Sequence, residues 1–173
     1  MAHGGSHQLQ CRPDRGFSLI EVLVTIVVIA FGLLGNATLT MRASKLNQGG
    51  VFRTHAVTFS QEIAERMEAN PTAALAGSYA VASGTVITSS FDCATAACST
   101  ANLAIYDLAT WQANLAANLP GAKTTIIQTS AANASPATYT IQVDWTEQRD
   151  SVTYSAAGTT ETFSYVTTKT VLP

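Results

Sequence analysis

Residues 16–35 read GFSLIEVLVTIVVIAFGLLG, an apolar run with one carboxylate, Glu21, close to its start. Between Phe17 and Leu34 the polar side chains are Ser18, Glu21 and Thr25. Those eighteen residues, as a helix rising about 1.5 Å per residue, would cover about 27 Å, close to the hydrocarbon thickness of a bilayer. The run therefore predicts a membrane helix. A secretory signal peptide has a shorter apolar core, carries no acid and ends in a small-residue cleavage site, none of which fits here. A central carboxylate in a membrane helix costs about 2.5–3.5 kcal/mol on insertion scales, less toward the end of the span, so Glu21 calls for a partner.

The stretch resembles the type IV prepilin signature, a glycine followed by Phe-Ser/Thr-Leu-Ile-Glu and an apolar run. Gly16, Phe17, Ser18, Leu19, Ile20 and Glu21 match it residue for residue. The resemblance implies that a prepilin peptidase cuts between Gly16 and Phe17 and N-methylates the new terminal Phe17. It also implies that Glu21 is an assembly residue, pairing with the terminal amine of a neighbouring subunit. Opposite charges that meet in a low-dielectric layer relieve the desolvation each suffers alone.

The 173 residues suggest one domain, and removing the first 16 leaves 157. Charged residues make up only 12%, and the net charge of −2 becomes about −3 once Arg12, Asp14 and Arg15 leave with the leader. No basic field is available to grip phosphates, so nucleic acid is not an expected partner. Arg12 and Arg15 before the span are balanced by Arg42, Lys45 and Arg53 after it, and the positive-inside count does not set the orientation.

Past the membrane run, Phe52, Phe59, Ile63 and Met67 fall at helical spacing while Glu62, Glu65, Arg66 and Glu68 take other faces, so the helix is expected to become amphipathic. Pro71 should end it. Gly32, Gly35 and the pair Gly49-Gly50 are where it would bend mildly or melt locally. Residues 72–90, rich in Ala, Gly, Ser and Thr, read as a connection with at most weak strands at 79–81 and 86–88. Ser99 or Thr100 caps a second helix with Ile105, Leu108, Trp111, Leu115 and Leu119 on its apolar face, closed by Pro120-Gly121. Residues 138–145, TYTIQVDW, alternate strictly and predict a half-buried strand. Residues 123–129 and 162–171 are the other two expected strands, with a turn at Ala157-Gly158 before the last. The three should form an antiparallel sheet.

The resemblance extends beyond the signature. Residues 41–71 with their ending ERMEANP, the Cys93/Cys98 pair, the segment AIYDLATWQANLAANLPG and the strand YTIQVDW are similar to the minor pilins of the PilV group, the type IV pilus modification proteins. It implies an α+β, type IV pilin-like fold: a long N-terminal helix packed on a small antiparallel sheet, here with an additional short helix. The expected organisation is a leader at 1–16, the transmembrane half of the helix at 17–40, its amphipathic half at 41–71 and a periplasmic globular domain at 72–173. The implied partners are the prepilin peptidase, other minor pilins, the major pilin and inner-membrane lipid, in a protein that starts or tips the pilus. Cys11 leaves with the leader, and Cys93 and Cys98 remain as an even pair in an exported chain, where a disulfide is expected. Their spacing is too long for a redox CxxC, and two thiolates without nearby histidines do not make a zinc site. His55 stands alone on the helix, and no triad, paired-acid site or phosphate loop points to an enzyme or a cofactor. A type II secretion pseudopilin and a pilus-tip adhesion module share the same architecture, and a membrane-anchored enzyme is the weakest alternative.

Overall fold

The computed structural model describes residues 16–149 and 159–173. The chain divides into two compact units at residue 45. Within the first, α1 (Leu19–Ala69) begins after a non-helical Gly16, Phe17 and Ser18. Large apolar side chains from Phe17 to Leu39 are 44–90% exposed, which is an apolar surface all round, the pattern of a helix that needs apolar surroundings. It is long and apolar enough to cross a membrane. The hydroxyls of Thr25, Thr38 and Thr40 donate back to the carbonyls of Val22, Leu34 and Asn36 at 2.8–3.0 Å, so these polar groups are satisfied within the helix, as hydrocarbon requires. α1 runs without interruption through Gly32, Gly35, Gly49 and Gly50. Of the mild bend or local melting expected at these glycines, melting is not seen in the single chain.

The second unit carries the remainder of α1 together with α2 (Pro71–Leu75), α3 (Thr100–Asn118), β1 (Lys123–Gln128), β2 (Ala137–Arg149) and β3 (Thr159–Val171). The sheet is antiparallel in the order β1-β2-β3, with Ile126 opposite Ile141 and Val143 opposite Tyr165. Alternation decides which face is buried: Tyr139, Ile141, Val143 and Trp145 are at most 2% exposed, while Thr140, Gln142 and Asp144 between them are half-buried on the other side. Ile63 and Met67 of α1, Leu108, Trp111 and Leu115 of α3, and this strand face share one core. Each such large side chain stabilises by about 1.5–3 kcal/mol on burial. The expected turn at Ala157-Gly158 lies outside the described residues.

Three expectations change. Pro71 ends α1 but also opens α2 as its first residue, where a missing amide hydrogen leaves no bond unmade. Of the weak strands expected between 72 and 90, only Val81 pairs, in a single bridge to Ile126, and 86–88 is not a strand. The apolar face of α3 holds Leu108, Trp111, Leu115 and Leu119 as read, but Ala104 is fully buried on it while Ile105 is only half-buried at its edge. Ser99 is the cap, its side chain accepting from Asn102 N at 3.2 Å.

Pro120-Gly121 closes α3 as read. The Gly121 backbone lies at φ 62°, and a Cβ there would meet Thr146 Oγ1 at 2.7 Å. Thr146 N also donates to Pro120 O at 2.9 Å, which pins this turn against β2. Glycine is required there on both counts.

Candidate functional site

Two places in the chain concentrate chemistry. The first is the start of α1, where Glu21 occupies the first turn. Glu21 N and Val22 N donate to Ser18 O at 3.0 and 3.3 Å, so the helix begins immediately after the Phe17-Ser18 pair. The Gly16–Phe17 bond is exposed and non-helical, and no side chain or backbone atom lies within 4 Å of where a Gly16 Cβ would stand. An exposed, non-helical peptide bond is what a peptidase can bind. The same turn gathers the unpaired amides that begin every helix, and a carboxylate there is favoured by the helix dipole. Unlike the threonine hydroxyls, a carboxylate has only acceptors and cannot satisfy itself on helix carbonyls. Its complement has to be a donor or a cation from elsewhere.

The second place was not foreseen from the sequence. Arg66 on α1 donates to Asp107 Oδ1 on α3 at 3.0 Å, to Thr110 Oγ1 at 3.2 Å and to Glu62 Oε1 at 2.6 Å. The Tyr79 hydroxyl donates to Asp107 Oδ2 at 2.7 Å and accepts from Asn70 Nδ2 at 3.3 Å, and Asn70 Nδ2 also donates to Thr100 O at 2.8 Å. Burial alone would lower the Arg66 pKa, but the hydrogen bonds and charges of Glu62 and Asp107 outweigh it and hold it above its ordinary value. Burial pushes the Tyr79 hydroxyl up strongly, and its bond to the Asp107 carboxylate pushes it further the same way. The network fastens α1, α3 and the turn after α2 to one another. A readable signal existed: Asp107 falls on the same helical stripe as Ala104, Leu108 and Trp111, and an acid on an apolar stripe needs a buried partner.

The remaining sequence candidates are placed as follows. Cys93 and Cys98 are joined in a disulfide with a Cα–Cα distance of 5.5 Å. It closes the loop that leads into the Ser99 cap of α3. The His55 ring stacks on Phe59 at 6.1 Å between centroids. Among the described residues, no three His, Cys, Asp or Glu side chains are grouped so as to hold a metal ion.

A long N-terminal apolar helix, a three-stranded antiparallel sheet and short additional helices make up a type IV pilin fold. Residues 38–109 match the family model of the type IV pilin Tt1218, described as Tt1218-like, and residues 11–35 match that of the prokaryotic N-terminal methylation motif. No curated protein matches the chain, and no solved structure does. A methylation motif on a pilin domain makes this a pilus-related subunit of the pilin type.

Proposed function

We propose that this chain is a minor pilin of the PilV group, cut between Gly16 and Phe17, N-methylated at Phe17, and held in the inner membrane by residues 17–40 with its globular domain in the periplasm. It then joins other minor pilins and the major pilin to start or tip the pilus. What supports this reading is the start of α1: an exposed, non-helical Gly16–Phe17 bond, then a helix with Glu21 in its first turn, in a chain whose residues 38–109 match a pilin model. Glu21 is the assembly contact, accepting the charge of a neighbour's terminal amine in a layer where neither charge is otherwise solvated.

Mass spectrometry of the protein from cells with a prepilin peptidase tests the processing step. The mature chain should begin at N-methyl-Phe17, and Gly16→Val should accumulate as the longer precursor. A wild-type protein that keeps Met1 at its terminus would refute the assignment. Crosslinking in the membrane then identifies the neighbours, and pilus proteins rather than secretion proteins should be recovered.

A further inference from the structure

We infer that the outer edge of β3 is an interface on which a second copy of this chain adds its own β3, antiparallel, about a two-fold axis at Tyr165. The direction of the backbone groups follows from the ladder. Ile126 N and O bond to Val81, on the side of β1 away from β2. Ile126 lies opposite Ile141, so the amide and carbonyl of Ile141 turn the other way, toward Thr167 of β3. Thr167 and every second residue on either side of it are therefore bonded to β2. Thr160, Thr162, Ser164, Val166, Thr168 and Thr170 point their backbone groups outward, and among the described residues nothing bonds to them. Sheets ordinarily protect such an edge with a proline, a bulge, a short strand or an outward charge. β3 pairs one-to-one with β2 over 13 residues without a proline, and its outward positions carry only hydroxyl or valine side chains, all exposed.

The strand is its own complement. Tyr165 is the midpoint of Thr159–Val171, so two copies related by a two-fold axis there overlap over the whole strand. Outward residue then meets outward residue: Thr160 faces the second copy's Thr170, Thr162 its Thr168, and Ser164 its Val166. The same register sets Glu161 of each copy beside Lys169 of the other. Both residues are already engaged within their own chain, Lys169 with Glu68 at 2.5 Å. The register asks of them only that opposite rather than like charges come side by side. Sliding the copies by two residues in either direction shortens the overlap and removes that match. Main-chain bonds alone would accept any extended segment, but full overlap and charge match coincide for a second β3. An interface that pairs one patch with itself is how two-fold dimers close.

The test uses the full chain in detergent, with its mass read by sedimentation over a range of protein concentrations. The wild type should associate reversibly to a dimer. Val166→Pro removes an amide hydrogen that points outward and leaves the ladder with β2 unbroken. It takes one hydrogen bond from each symmetric half of the interface and should weaken the dimer about tenfold or more. Two double variants test the register, because Thr162 faces the second copy's Thr168 while the two are far apart within one chain. Thr162→Lys with Thr168→Lys opposes like charges twice and should abolish the dimer, whereas Thr162→Glu with Thr168→Lys should keep it. This pair decides the matter even if the proline variant fails to fold, as circular dichroism would show. A wild type that stays monomeric at every concentration would overturn the proposal. So would a dimer that the two double variants leave equally strong or weaken alike, since the contact would then lie elsewhere, as on the apolar helix.

Discussion

Tyr79 is fully buried, and its hydroxyl donates to Asp107 Oδ2 at 2.7 Å. Ionisation would place a second negative charge beside that carboxylate in a dry site, so folding raises the pKa above its ordinary value of 10.0. A raised value means that the folded protein holds this proton to higher pH than the unfolded chain does. The contribution is therefore complete below about pH 10 and is lost as pH climbs toward the folded value. Tyr139 works in the same direction, through burial, with its hydroxyl donating to Ala74 O. Thermal unfolding across alkaline pH should show stability falling from about pH 10 in the wild type, and a shallower fall in Tyr79→Phe. At neutral pH the same substitution should lower stability by about 1–2 kcal/mol, since it removes the hydroxyl's bonds to Asp107 and from Asn70 and leaves a lone pair of a buried carboxylate unmet. If the two proteins lose stability with identical slopes above that pH, Tyr79 carries none of the effect. This network was only partly legible beforehand. Asp107 stood visibly on an apolar stripe, but its partners lie 41 and 28 positions away at Arg66 and Tyr79, a distance that helical periodicity does not bridge.

Helix α1 shows why element type was legible while glycine behaviour was not. Periodicity along one element is local, so the amphipathic stretch, the alternating strand and the capped second helix could all be read from spacing. What a glycine does depends on what faces it. At Gly49 a Cβ would come within 2.9 Å of Glu147 Oε2, whereas nothing lies within 4 Å at Gly50. Glu147 in turn accepts from Trp145 Nε1 at 2.7 Å, so Gly49 leaves room for a side chain from β2, and Gly50 faces open space. Replacing an exposed helical glycine with alanine gains up to about 1 kcal/mol in helix propensity. Gly50→Ala should therefore raise the melting temperature of the mature chain in detergent by up to about 2–4 °C, and Gly49→Ala by less, because Glu147 has to move. A larger gain at Gly49 would show that Glu147 makes no useful contact there. The same logic covers the loop before α3. Cys93 and Cys98 were visible as a pair, and replacing both with serine should lower stability by about 2 kcal/mol on the chain-entropy estimate for so short a loop, measurable by denaturant unfolding. The short helix after Pro71 was missed because a proline reads as a stop, and only the chain on its far side decides whether it is also a start.

For the molecule as a whole, the proposed anchor and the globular unit would meet different solvents, and Glu21 is where the two requirements conflict. Everything else in the apolar run suits hydrocarbon: the side chains are apolar on every face, and the threonine hydroxyls are satisfied on the helix itself. A carboxylate in that setting opposes insertion, and an anchor alone would be better without it. Glu21→Leu should therefore insert at least as well as the wild type. It should also be cut after Gly16 as before, because the exposed junction is unchanged. What it should lose is entry into filaments, since a neighbour's terminal amine would then enter the apolar layer without its counter-charge, and a buried charge left unpaired costs about 3–5 kcal/mol. That penalty is enough to reduce incorporation by at least tenfold if the contact forms once per subunit. The measurement is the amount of this protein in sheared pili, with the number of surface pili, at matched membrane levels of wild type and variant. Equal incorporation would remove the assembly role from Glu21. Reduced membrane levels of the variant would show instead that the carboxylate serves insertion, despite the cost of placing an acid in hydrocarbon.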